Sequence, residues 1–180
     1  GGELVSAAIQ AFRSSWDNPF RDVAPGAWYE EAVRYVYEAG LMRGTSSSAF
    51  SPGRTTTRGQ IVTILHRLEG SPRAGAAPFT DVAASSYCAE AVAWAEQNAI
   101  VLGFGDGTFR PDRPITRQQL AAILWRYAGS PAAEPGTDYA DESAIASYAA
   151  TAVDWARDTG VITGRDGNRF DPGGRATRAQ

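Results

Sequence analysis

Three arginines are the side chains of this 180-residue chain best placed to do chemistry: Arg58, Arg117 and Arg178. Each sits in a Thr-Arg-x-Gln block: Thr57-Arg58-Gly59-Gln60, Thr116-Arg117-Gln118-Gln119 and Thr177-Arg178-Ala179-Gln180. Thr followed three residues later by Gln is a capping box, so the Arg falls on the first residue of a helix. A cation there opposes the helix dipole at a cost of about a few tenths of a kcal/mol. Two purposes would offset that cost. One is a salt bridge to Asp22, Asp81 or Asp141 of the same or a neighbouring segment. The other is an anionic ligand, because exposed helix-start amides and a guanidinium fork together suit a carboxylate or phosphate. The residues alone leave both open.

Other candidates are weaker. Gly103-Phe104-Gly105-Asp106-Gly107 lacks the Lys-Ser/Thr of a phosphate loop and the acidic ligand set of a calcium hand. His66 has no Cys or Asp at nucleophile spacing and reads as a structural residue on a helix. Cys88 reads as a small buried filler. The acidic pairs Glu30-Glu31 and Asp141-Glu142 are sequence neighbours that point apart, as solvated faces do. No nucleophile, base and oxyanion donor come together, so no enzymatic activity, metal or cofactor is expected of these residues.

Composition narrows the class further. The 17 basic residues are all arginine, which a GC-rich coding sequence accounts for, and they face 20 acidic ones for a net charge of −3. That balance argues against a nucleic-acid partner. A 43% hydrophobic content excludes wholesale disorder. No apolar run approaches the roughly 18 residues of a membrane span. One Cys and one His remove disulfide frameworks and multi-ligand zinc sites.

The elements that must carry the arginines repeat three times. Phe20-Arg21-Asp22-Val23 returns as Phe79-Thr80-Asp81-Val82 and as Tyr139-Ala140-Asp141, at offsets of 59 and 60 residues. Gly44, Gly103 and Gly164 keep the register, as do Phe50, Phe109 and Phe170, and Pro52, Pro111 and Pro172. Each copy reads as helix, long loop, helix. Trp28, Ala32, Val33, Val36 and Ala39 make one helical face, repeated from Tyr87 to Ala99 and from Tyr148 to Gly160. Gly40 and Gly160 stand where C-terminal caps belong. The loop aromatics Phe50, Phe109 and Phe170 should be buried, since an unanchored loop of about 15 residues is uncommon. Second helices follow the Thr-Arg blocks, with Ile61, Ile64, Leu65 and Leu68, then Leu120, Ile123, Leu124 and Tyr127. Pro/Gly/Ala-rich linkers at 70–78 and 129–136 separate the copies. The predicted organisation is a helical segment over 1–17, then repeats at 18–70, 79–129 and 139–180, the last without its second helix. Leu4, Val5, Ala8, Ile9 and Phe12 form an apolar stripe that could fill that place.

Phe-x-Asp-Val, an aromatic ahead of Ala-Val, Gly-x-Phe-x-Pro and Thr-Arg-x-Gln together resemble the S-layer homology (SLH) repeat of bacterial surface proteins, from Phe20 to Gln180. The resemblance implies an all-α fold of three helix-loop-helix repeats in a pseudo-threefold spindle. It also implies an extracellular, cell-wall location and non-covalent binding of secondary cell-wall polysaccharide, often through pyruvylated N-acetylmannosamine. It places ligand contacts on Arg58 with Gln60, Arg117 with Gln119, and Arg178 with Gln180, helped by backbone near Gly44, Gly103 and Gly164. A pyruvyl carboxylate suits a planar Arg, and Trp28, Tyr87 or Tyr148 could stack on a sugar face or simply pack in the core. Asp22, Asp81 and Asp141 are candidates for ligand contact, capping or Arg pairing.

The copies differ, so their sites should be unequal. Copy one has Gly44-Thr45-Ser46-Ser47-Ser48 where copy two has the glycine loop, and the Arg117 site reads as the most intact. On a ligand role, Arg117→Ala should weaken glycan binding and spare the fold; unfolding of copy two would favour a salt bridge. Two rival functions remain: a protein–protein assembly module with self-association, or the targeting fragment of a larger cell-wall enzyme.

Overall fold

A computed structural model describes residues 16–136 and 138–180, so the stripe expected between Leu4 and Phe12 lies outside the described residues. The described residues are all-α, with five α-helices and no strand: α1 Glu30–Glu38, α2 Arg58–Leu68, α3 Ala89–Gln97, α4 Arg117–Tyr127 and α5 Ala150–Asp158. Short 3-10 turns at Glu142–Ala144 and Ser147–Ala149 precede α5. The helices α1, α3 and α5 begin after Trp28, Tyr87 and Tyr148, which therefore occupy the entry turns rather than the helical faces. The chain divides into two compact units, Thr55–Ala176 and the residues up to Arg54 together with Thr177–Gln180.

Both complete Thr-Arg blocks form their capping boxes. The Thr57 side chain accepts from the Gln60 amide while Gln60 accepts from the Thr57 amide, and Thr116 and Gln119 repeat the exchange. Gly40 and Gly160 take the left-handed conformation expected of C-terminal caps, but copy two puts Ala99 there at φ 55°.

In the Thr55–Ala176 unit, α2 packs on α3 and α4 on α5. One cluster gathers around Val62, Val92, Phe109 and Ile115, and a second around Ala152, Val153 and Phe170. Leu120 and Leu124 touch both clusters. The three loop aromatics are fully buried, Phe109 and Phe170 here and Phe50 in the other unit. Burying each such ring contributes about 2–3 kcal/mol, enough to hold down a loop otherwise made of turn residues. Phe20 meets Phe50 at 5.5 Å in the first unit, and Phe79–Phe109 and Tyr139–Phe170 repeat that pairing.

A ring of backbone hydrogen bonds ties the closing blocks together inside Thr55–Ala176. The Thr56 amide donates to Ala176 (2.9 Å), Ala176 to Ile115 (3.2 Å), and Ile115 back to Thr56 (2.9 Å). All three residues are buried, so each bond exchanges no water and is costly to leave unmade.

Two side chains fasten the linkers. His66 Nε2 lies 2.8 Å from the Pro72 carbonyl, and Trp125, 59 residues later, donates from Nε1 to Pro131 at the same distance. A carbonyl only accepts, so His66 carries its proton on Nε2. Cys88 is fully buried, with its thiol 3.3 Å from the Ser86 hydroxyl.

Candidate functional site

Each repeated arginine is tied to the loop of the next copy in a cyclic order. Arg58 Nε donates to the Phe109 carbonyl (2.8 Å), Arg117 Nε to Phe170 (2.7 Å), and, in the other unit, Arg178 Nε to Phe50 (2.8 Å). The helix-start amides are taken as well. Arg58 and Gly59 donate to Arg113 and Pro111, Arg117 and Gln118 to Gly174 and Pro172, and Arg178 and Ala179 to Arg54 and Pro52. The Pro of each Phe-x-Pro step (Pro52, Pro111 and Pro172) thus supplies an acceptor for a Thr-Arg block of another copy. Backbone carbonyls, rather than a carboxylate, receive these donors, which supplies a structural reason for a cation at a penalised position.

The repeated aspartates do a different job. Asp22 accepts from the amides of Phe50 and Ser51, Asp81 from Phe109 and Arg110, and Asp141 from Phe170 and Asp171, all at 2.7–2.9 Å. The second residue of each pair lies in the left-handed region at φ 58–59°, where a non-glycine residue needs such support. Burial pushes the Asp22 and Asp141 carboxyls up, but the amide donors outweigh it and hold both below the usual carboxylate range.

Gly44, Gly103 and Gly164 seat the paired aromatics. A Cβ on Gly103 would stand 2.2 Å from the Phe79 ring, one on Gly164 2.8 Å from Tyr139, and one on Gly44 2.6 Å from Phe20. Trp28, Tyr87 and Tyr148 are all largely exposed, at 74%, 61% and 50%. The Tyr87 hydroxyl lies 3.5 Å from Thr57 Oγ1.

Within Thr55–Ala176 a groove of about 370 Å³ brings part of this set together. Arg58, Gly103, Gln119 and Tyr148 line it; Arg117 and Gln60 do not. One wall is the copy-two glycine loop, where Phe104 has the guanidinium of Arg110 over its ring at 3.9 Å and that of Arg58 at 4.8 Å. Gln119, Ala122, Ile123 and Arg126 form the α4 side, and Tyr148 stands on the entry turn of α5. Gln119 commits Oε1 to the Thr116 amide, leaving its NH₂ donors to the groove.

The three arginines are not equivalent in what they leave available. Arg117 and Arg178 each commit a second donor, Nη2, to Thr163 and Arg43 respectively. Among the described residues no acceptor takes an Nη donor of Arg58. Burial pushes Arg58 down to about 10, so it remains cationic at neutral pH. Its uncommitted edge, beside aromatic walls, can meet a carboxylate with two parallel hydrogen bonds. Among the described residues no group of three metal-ligating side chains is present, and no helix is long and apolar enough to cross a membrane.

Several groove residues had no ligand role in the sequence reading, Phe104 and Arg126 among them. Arg126 was legible in principle: Gln119, Ala122, Ile123 and Arg126 follow i, i+3, i+4, i+7, the spacing of a single helical face.

The S-layer homology domain family matches residues 19–62, 78–121 and 138–180. An endoglucanase of Bacillus sp. (strain KSM-635) is 32% identical over 170 residues, covering 90% of this chain and 18% of that protein. The amylopullulanase of Thermoanaerobacterium thermosulfurigenes is 27% identical over 92% of this chain and 9% of its own length. The surface-layer 125 kDa protein of Lysinibacillus sphaericus is 28% identical, over 92% and 14%. The chain therefore spans less than a fifth of the length of these relatives. With three matched repeats, an all-α fold and interlocked Thr-Arg blocks, the chain belongs to the S-layer homology domain family and is a module of the bacterial cell surface.

Proposed function

We propose that this chain anchors a surface polypeptide non-covalently to an anionic, pyruvylated secondary cell-wall polysaccharide. The observation that carries this reading is the Arg58 groove: a cation with an uncommitted donor edge, set beside Phe104 and Tyr148. A ketal carboxylate would meet the guanidinium, and the apolar face of the sugar would lie on an aromatic ring. Arg117 and Arg178, with their Gln partners and the neighbouring glycine loops, would serve as lesser stations in the other repeats. Enzymes and surface-layer proteins among the relatives support a module joined to different polypeptides; the targeting part of a larger cell-wall enzyme is therefore the second reading. Sedimentation with purified sacculi tests the assignment. Binding should be lost after removal of ketal pyruvate and in Arg58→Gln; binding that survives depyruvylation defeats the ligand assignment and favours a protein–protein assembly role.

A further inference from the structure

The α4 side of the groove carries a second cation, with no neutralising carboxylate among the described residues that line it. Arg126 is half-buried, and among the described residues no carboxylate or carbonyl takes a hydrogen bond from its guanidinium. Among the described residues no acidic side chain lines the groove. Tyr148 lines the same groove and interacts electrostatically with both Arg58 and Arg126. Proximity to the α4 C-terminus would by itself favour a cation, but that benefit is available to a side chain extended into water. Arg126 is instead partly desolvated along the groove, and burial pushes its proton affinity down as it does for Arg58.

We propose that Arg126 makes this groove a two-cation site whose occupant is a glycan segment carrying two acidic groups, one for each arginine. This rests on the polysaccharide-anchoring reading and sharpens its ligand class. A monoanion would leave one half-buried guanidinium uncompensated; a dianion neutralises both. Gln119 and Arg126 are seven residues apart, about 10 Å along a helix at 1.5 Å per residue, a length along which a saccharide can lie beside α4.

The test needs no identified glycan. The full chain, labelled with ¹⁵N-arginine, is titrated with sodium glutarate and with sodium acetate at matched ionic strength, following the Nε–H signals of Arg58 and Arg126. Glutarate should move both signals and bind at least about tenfold more tightly than acetate, the lower end of what one charge-assisted contact contributes. In Arg126→Gln the preference should collapse while the Arg58 signal still responds; Arg126→Lys should keep part of it. Equal affinities, or a stationary Arg126 signal in the wild type, would overturn the proposal. A thermal melt of each variant separates lost binding from lost fold. Sacculus binding by the same wild-type preparation keeps the two readings apart. A chain that sediments with sacculi yet shows no dicarboxylate preference refutes the two-cation site alone, and the converse refutes only the anchoring.

Discussion

Arg58 and Arg117 occupy the same position in successive repeats, both are 6% exposed, and both donate Nε to the buried aromatic of the next loop. They differ at the outer edge of the guanidinium. Arg117 adds a bond to the Thr163 carbonyl, whereas Arg58 lies against the Phe104 ring. Where copy two has Phe104, copy three has Arg165, paired with Asp171 at 3.3 Å. The two loops differ throughout between the shared Gly and Phe, and across them an arginine with two donors committed to backbone stands against one with donors to spare. A repeated motif can be structural in every copy and still be available for binding in one.

The largest effect should come from removing the brace. Arg117→Ala strands two carbonyl acceptors and should lower stability by about 3 kcal/mol, against about 1–2 kcal/mol for Arg58→Ala, which strands one. Paired denaturant titrations check this, and equal losses would erase the distinction between the two arginines. On these bonds Arg117→Ala would not leave the fold untouched, as a purely ligand-binding Arg would. Next come the glycines that seat the aromatics. Gly103→Ala should cost about 2–3 kcal/mol, since its Cβ meets Phe79 at 2.2 Å and φ is +66°. Gly164→Ala, with a 2.8 Å approach and no such φ, should cost less; the order of their thermal midpoints decides.

The pH dependence separates latch from groove. The Asp22 and Asp141 carboxyls are held low in the folded chain, so their stabilisation is complete above the usual value of 3.8 and lost as pH falls through the folded values. Asp106, brought to about 2 by Thr108 and then Arg110, adds to the same acid loss. Acid unfolding followed by circular dichroism should begin below about pH 4 and weaken in Asp22→Asn. Anion binding should instead be flat through neutrality and fade above about pH 10 as Arg58 loses its proton. The smallest effect is expected at Ala99, the lone non-glycine among the three equivalent caps after α1, α3 and α5. Ala99→Gly should stabilise the chain by about 0.5–1 kcal/mol, read as a rise in thermal midpoint.

Much of this architecture was legible because it is local. The capping boxes, the buried Phe50, Phe109 and Phe170, and the glycine caps at Gly40 and Gly160 follow from spacing and backbone preference within a few residues. The repeat register made the same inference three times over. The partners of Arg58 and Asp81 were not legible, since they lie 51 and 28 residues away and are backbone atoms, which carry no residue-type signal. A search for opposite charges therefore pointed toward Arg–Asp pairs, whereas each group satisfies itself on a neighbouring loop. Phe104, which the sequence placed only within a glycine loop, is a wall of the groove.

The sequence by itself determined three repeats, the buried loop aromatics and an arginine at the start of the second helix in the first two, because capping and periodicity act through the nearest few residues. Only the tertiary structure decided what each arginine holds. Identical Thr-Arg-x-Gln blocks meet different loops, and whether a guanidinium finds one carbonyl or two depends on backbone brought there from the next repeat.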